Sequence, residues 1–184
     1  IGTVSRGNKS SSSFKEDVAE LRTLISVVES AKLSEDDATS KIARKAEQLN
    51  NYLEALPTYW PVDSRATFSG FGMRFHPIYK RYRMHEGLDM GGTKGDPVYA
   101  AGKGKVIHAG WNGGYGNLII IDHGNGFKTY YGHLNKILVK EGQSVSKGEK
   151  IGLIGSTGLS TSSHLHFEVR LNDKPTDPLY YIEP

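Results

Sequence analysis

Apolar residues recur in two different ways along this chain, and the change between them falls near Pro57. Phe14, Val18, Leu21, Ile25 and Val28 are spaced alternately by four and three. That spacing puts all five on one side of a helix, because a helical turn takes about 3.6 residues. Ser13 stands three before Glu16, the spacing of a capping box that satisfies free N–H groups at a helix start. Ile42, Ala46, Leu49, Leu53 and Leu56 repeat the pattern, with Ser34 and Asp37 as a weaker cap and Pro57 as a stop. A short link near Ala31 to Leu33 would let the two stripes face each other as an antiparallel helical hairpin. Two heptads per helix are too few to require a coiled coil.

From Trp60 onward the pattern shortens. Segments 98–100, 104–107, 117–121, 129–131 and 150–154 are short apolar runs separated by Gly, Asn and Asp, as strands are. Asn125-Gly126 predicts a tight hairpin between the strands around Ile119 and Thr129. Segment 164–171 alternates polar and apolar residues and ends at the turn Asn172-Asp173. Glycine usage marks the same boundary, since all but Gly2 and Gly7 of the 22 glycines lie after Pro57. The reading is a flexible Ser-rich lead-in over 1–12, a helical hairpin over 13–56 and an antiparallel sheet domain over 57–184.

Composition changes this picture little. With 184 residues, 37% hydrophobic and 23% charged, the chain can build a folded core. The net charge of +3 is too balanced to point to nucleic acid. No run of about 18 apolar residues occurs, so no helical membrane span is expected. The chain starts at Ile1 without a signal peptide and reads as a piece of a longer protein. Cysteine is absent, so a metal site here must use His, Asp or Glu.

Histidine supplies the candidate chemistry. In His164-Leu165-His166 the two imidazoles would leave a strand on one face about 6.6 Å apart, with Leu165 turned into a core. In His85-Glu86-Gly87-Leu88-Asp89 an extended chain would put His85 and Asp89 on one face, with Gly87 leaving the space between them open. The competing helical reading, with Glu86 as a general base, needs His at 89 and a helix through Gly87. His133 ends a strand in Tyr131-Gly132-His133-Leu134. Three ligands and an open fourth position suit catalytic zinc, yet five residues can be divided into ligands and catalysts in several ways. His76, His108 and His123 read as structural or surface residues.

These motifs resemble the LytM/lysostaphin-type zinc metallopeptidases, which are peptidoglycan endopeptidases. The resemblance runs from about Trp60 to Tyr181. It rests on His85-x-Gly-x-Asp89, Gly113-Gly114-Tyr115-Gly116-Asn117, His123-Gly124-Asn125-Gly126, Tyr131-Gly132-His133-Leu134, and Gly155-Ser156-Thr157-Gly158 leading into His164-Leu165-His166-Phe167-Glu168. Ser163 departs from it, where Gly or Pro is common. The resemblance implies a mainly β fold of two antiparallel sheets forming a groove, and Zn2+ held by His85, Asp89 and His166. It implies His133 and His164 as catalytic residues, peptidoglycan stem peptides or cross-bridges as substrate, and action in the cell envelope or outside the cell. Both catalytic histidines would work in the neutral form near an ordinary pKa of about 6.5.

The helical segment lies outside the resemblance and is a candidate surface for a protein partner. Two rival readings remain at this level. One is a wall-binding or activator module that does not cut. The other is a lipoyl- or biotinyl-type carrier, suggested by Gly142-Gln143-Ser144-Val145-Ser146-Lys147-Gly148 but lacking a Met-Lys-Met-type site.

Overall fold

The computed structural model describes residues 11–30, 37–76 and 80–182. Two helices come first, α1 (Ser11–Ser30) and α2 (Asp37–Ala55). The helix α1 starts two residues before the expected cap at Ser13. The link at 31–33 and the cap at Ser34 lie outside the described residues. On α1, Val18 and Ile25 are buried, as the stripe predicts. On α2 the stripe is only partly used: Leu53 is buried, but Ile42 is exposed. The helix ends two residues before Pro57, whose ring disfavours helical backbone just ahead of it. The chain divides into two compact units, one of residues 1–53 with 179–181 and one of residues 54–178 with 182–184. Within the first, the rings of Phe14 and Tyr181 meet edge to face at 5.4 Å.

The second unit is built from thirteen strands among the described residues. They are β1 (Thr67–Ser69), β2 (Gly72–His76), β3 (Arg81–His85), β4 (Leu88–Gly91), β5 (Pro97–Tyr99), β6 (Gly104–Trp111), β7 (Asn117–Gly124) and β8 (Phe127–Leu134), followed by β9 (Lys136–Ile137), β10 (Ser144–Val145), β11 (Lys150–Leu153), β12 (His164–Leu171) and β13 (Lys174–Thr176). The larger antiparallel sheet runs β1-β4-β12-β8-β7-β6-β10, with β13 beside the far half of β12. A smaller sheet runs β5-β11-β9, and β2 pairs only with β3. The fold is therefore mainly β with two N-terminal helices, as expected. The β2–β3 hairpin is an addition to the expected pair of sheets.

The Asn125-Gly126 turn joins β7 to β8 in the expected place. Both residues have positive φ, 51° and 82°, which matches the twist of a two-residue hairpin. Gly124 pairs with Phe127 across it. The core lies under the larger sheet's apolar face. Leu165, Phe167 and Val169 on β12 are fully buried, as are Ile119 and Ile121 on β7. Full burial of side chains of this size contributes roughly 1.5–3 kcal/mol each. Because strand side chains alternate, burying 165, 167 and 169 turns His164, His166, Glu168 and Arg170 to the opposite face.

Candidate metal centre and catalytic groove

Strand register brings the sequence-distant residues together. His166 on β12 stands directly opposite Asp89 on β4, and opposite Gly132 on β8 on its other side. His85 ends β3, one tight turn before β4. The expected single extended run from His85 to Asp89 is thus broken into two strands, and the pair is nevertheless joined. The helical alternative is excluded, since no helix covers this segment. Gly87 is required at the break: a Cβ there would collide with the Phe167 carbonyl and lie 2.9 Å from His166 Cε1.

Three donor atoms converge at this point. Asp89 Oδ1 lies 3.0 Å from His85 Nε2 and 2.9 Å from His166 Nδ1, and the two nitrogens are 3.2 Å apart. All three residues are buried. The outer hydrogen bonds fix which nitrogens carry protons. His85 Nδ1–H donates to the Gly70 carbonyl at 2.7 Å, and His166 Nε2–H donates to Glu168 Oε1 at 3.0 Å. In the neutral rings, the lone pairs of His85 Nε2 and His166 Nδ1 therefore both face the Asp89 carboxylate. Three electron-rich atoms in one buried place need a positive charge among them.

The electrostatics say the same. Burial opposes ionisation of Asp89, but its hydrogen bonds to His166 and His85 outweigh burial and hold the carboxyl well below the usual range. Burial also opposes a charge on His166, yet hydrogen bonds to Asp89 and Glu168 push it up to about 9. The site is built for a cation, whether a proton on His166 or a metal ion held by His85, Asp89 and His166. Arg74 Nη2 donates to the other oxygen of Asp89 at 3.1 Å and steadies it.

Sequence reasoning gave no role to Glu168. Its side chain is fully buried, takes Arg170 Nε–H on Oε2 at 2.7 Å and accepts from the Tyr115 hydroxyl at 2.6 Å on Oε1. Arg170 also donates to Glu86 at 2.7 Å and stacks on the Tyr130 ring at 4.4 Å. Buried, and held ionised chiefly by His166 and Arg170, Glu168 orients the His166 ring. The signal was present: the period-two pattern that pairs His164 with His166 continues to Glu168 and Arg170.

His133 and His164 stand beside the triad, with ring centroids 4.9 Å apart. His133 Nδ1–H donates to the Thr157 carbonyl at 2.8 Å, and His164 Nδ1–H donates to the Ser162 carbonyl at 2.8 Å. Both rings thereby keep an Nε2 lone pair. His164 Nε2 lies 3.6 Å from Asp89 Oδ1. His133 has φ of 61°, an uncommon conformation for a residue with a side chain. Thr157 is itself anchored, its hydroxyl donating to the Leu134 carbonyl at 2.9 Å and accepting from Asn117 N–H at 3.0 Å. Burial and the neighbouring His166 push the His133 pKa down to about 4, below the ordinary value expected from sequence.

All five residues open onto one groove of about 540 Å³, which Tyr115 also lines. The remaining histidines stay outside it. His123 is buried on β7, its Nδ1–H donating to the Lys103 carbonyl at 2.9 Å and its Nε2 accepting from the Thr129 hydroxyl at 2.7 Å. His108 is half-buried on β6, and the side chain of His76 lies outside the described residues. No described helix is long and apolar enough to cross a membrane.

Comparison with known proteins agrees with this geometry. Residues 83–178 match peptidase family M23. The chain is 42% identical over 156 residues to the peptidoglycan DD-endopeptidase ShyB of Vibrio cholerae, covering 82% of this chain and 37% of that protein. It is similar to the crystal structure of a zinc-containing peptidase from Vibrio cholerae, with a TM-score of 0.64 and 45% identity over 69% of this chain and 40% of the other. It is also similar to the catalytic domain of lysostaphin from Staphylococcus simulans, with a TM-score of 0.57 and 38% identity over 62% of this chain and 89% of that one. The chain spans between 27% and 37% of the length of the curated relatives it matches first.

Proposed function

The chain belongs to peptidase family M23, and on that premise we propose that it is a zinc-dependent endopeptidase hydrolysing peptide cross-links of bacterial peptidoglycan. The observation that carries this reading is the convergence of His85 Nε2, Asp89 Oδ1 and His166 Nδ1, with the His133 and His164 rings beside them. The three donor atoms lie 2.9–3.2 Å from one another, close enough for His85, Asp89 and His166 to hold one small cation between them. An all-N/O donor set with two imidazoles suits zinc better than calcium or magnesium, which favour oxygen.

When bound, zinc supplies Lewis acidity that polarises a carbonyl and lowers the pKa of water. His133 and His164 then perform the proton transfers. Each has its Nδ1–H tied to a carbonyl, so each Nε2 is a free acceptor for the proton of the attacking water. The same atom, once protonated, faces the scissile bond as a donor to the oxyanion and to the leaving amine. A pKa near 4 keeps His133 neutral at working pH and makes its protonated form a ready acid. Tyr115 donates to Glu168 and orients the ligand His166.

Relatives named as peptidoglycan DD-endopeptidases and as a lipoprotein support action in the cell envelope. The non-cutting wall-binding reading gains no specific observation, because every ligand and proton-transfer position carries a competent side chain. The test is mass spectrometry of cross-linked muropeptides after incubation with the zinc-loaded chain, with His164→Ala as control. New un-cross-linked fragments from the wild type alone are expected. Intact cross-links with zinc bound would instead support the binding module.

A further inference from the structure

One loop holds both proton-transfer histidines. Residues 154–163 join β11 to β12. Within them the Thr157 carbonyl accepts His133 Nδ1–H and the Ser162 carbonyl accepts His164 Nδ1–H, both at 2.8 Å. The two halves of the loop are secured differently. The first half is tied to the larger sheet and the turn before β7. Leu159 N–H donates to the Gly114 carbonyl at 2.8 Å, and the Thr157 hydroxyl bridges the Asn117 N–H and the Leu134 carbonyl. Gly158 packs so closely on Gly114 and Gly116 that a Cβ would collide with the backbone of both. The second half has no such anchor. Neither Thr161 nor Ser162 takes part in a backbone–backbone hydrogen bond among the described residues.

A side chain holds the Ser162 carbonyl instead. The Ser160 hydroxyl donates to it at 2.7 Å. A hydroxyl has one proton to give, so at its 2.9 Å contact with Ser156 the Ser156 hydroxyl is the donor. A carbonyl has two lone pairs, so the Ser162 oxygen accepts from Ser160 and from His164 at once. Ser160 Oγ itself lies 3.5 Å from His164 Nδ1, too far to replace the carbonyl as its acceptor. Ser160 is half-buried, whereas Ser162 is exposed.

We propose that Ser160 is a positioning residue for His164: its hydroxyl fixes the Ser162 carbonyl, and through that carbonyl the ring orientation that leaves Nε2 free for proton transfer. This rests on the peptidase reading and adds a residue that acts on one of the two histidines. Without the hydroxyl, the exposed Ser162 carbonyl can turn to water and the His164 ring loses its fixed partner. The three converging donors and His133 keep theirs, since none of them is hydrogen-bonded to residues 160–162.

The experiment measures kcat, KM and zinc content on a cross-linked muropeptide for the zinc-loaded chain, Ser160→Ala and Ser160→Thr, and for Ser160→Ala added to His164→Ala. Ser160→Ala is expected to lower kcat about tenfold, with KM and zinc content unchanged. Ser160→Thr keeps the hydroxyl and should recover most of that loss. Added to His164→Ala, Ser160→Ala should cost nothing more, because the two act as one unit. Normal turnover in Ser160→Ala, a loss carried by KM or by lost zinc, or a further tenfold loss in the His164→Ala background overturns the assignment while leaving the peptidase reading intact. No cleavage by the wild type overturns the peptidase reading and the proposal with it.

Discussion

His166 and His123 are equally hidden, at 8% and 6% exposure, and both sit on strands of the larger sheet with both ring nitrogens hydrogen-bonded. Their chemistry is opposite. His166 lies between two carboxylates and is pushed up to about 9; His123 lies between a carbonyl and a hydroxyl, and burial pushes it down to about 4. Burial alone therefore says nothing about function. The partners decide: carboxylates make a place that demands a cation, while neutral groups make a closed network. That network continues from Thr129 to the Tyr131 hydroxyl at 2.9 Å and on to the Ala101 N–H at 2.8 Å.

The harshest way to break the contrast is to remove the shared carboxylate. Asp89→Ala leaves two lone pairs and Arg74 without their common partner. It should abolish stoichiometric metal binding by elemental analysis, and activity with it. His164→Ala and His133→Ala should lower kcat by at least about 100-fold while metal content stays normal, because neither is placed among the three converging donors. Near-normal turnover in either variant would remove that residue from the mechanism. Glu168→Gln keeps the shape but removes the charge that orients His166, and should weaken zinc about 10- to 100-fold in a competition titration. An unchanged affinity would reduce Glu168 to a packing role.

The mildest test concerns the other histidine. The folded pKa of His123, about 4, lies below its unfolded value of about 6.5. Between those values the unfolded chain binds the extra proton. Stability from this group is thus complete above about pH 6.5 and falls as pH drops towards 4, by on the order of 1–2 kcal/mol at pH 5. Denaturant titrations from pH 7 to pH 5 should show a shallower loss for His123→Gln than for wild type. Metal release and His133 act in both proteins, so the difference in slope isolates His123. Equal slopes would contradict the neutral assignment.

Much of this was legible in the sequence because strands expose their logic every second residue. The alternation in 164–171 fixes β12, its buried face and the pairing of His164 with His166. The Asn125-Gly126 turn is fixed by its own backbone demands. Other features escaped for physical reasons. Ile42 fits a helical stripe yet is exposed, because periodicity reports which residues share a face and not whether anything covers it. The β2–β3 hairpin falls outside the strand segments expected from sequence, although Met73-Arg74-Phe75 and Tyr82-Arg83-Met84 alternate as strands do. Neither face of that hairpin joins a core: arginines occupy one, and the apolar Met73, Phe75, Tyr82 and Met84 of the other are all exposed, so its alternation marks no buried stripe. The meeting of Asp89, His85 and His166 depends on register across 77 and 81 residues of sequence, which no local pattern contains.

Zinc stoichiometry after exhaustive dialysis, in wild type, His166→Ala and His123→Ala, tests the central claim most directly. One zinc per chain is expected in wild type and in His123→Ala, and none in His166→Ala. Zinc retained by His166→Ala, or lost equally from both variants, would contradict a metal centre defined by carboxylate-flanked histidine.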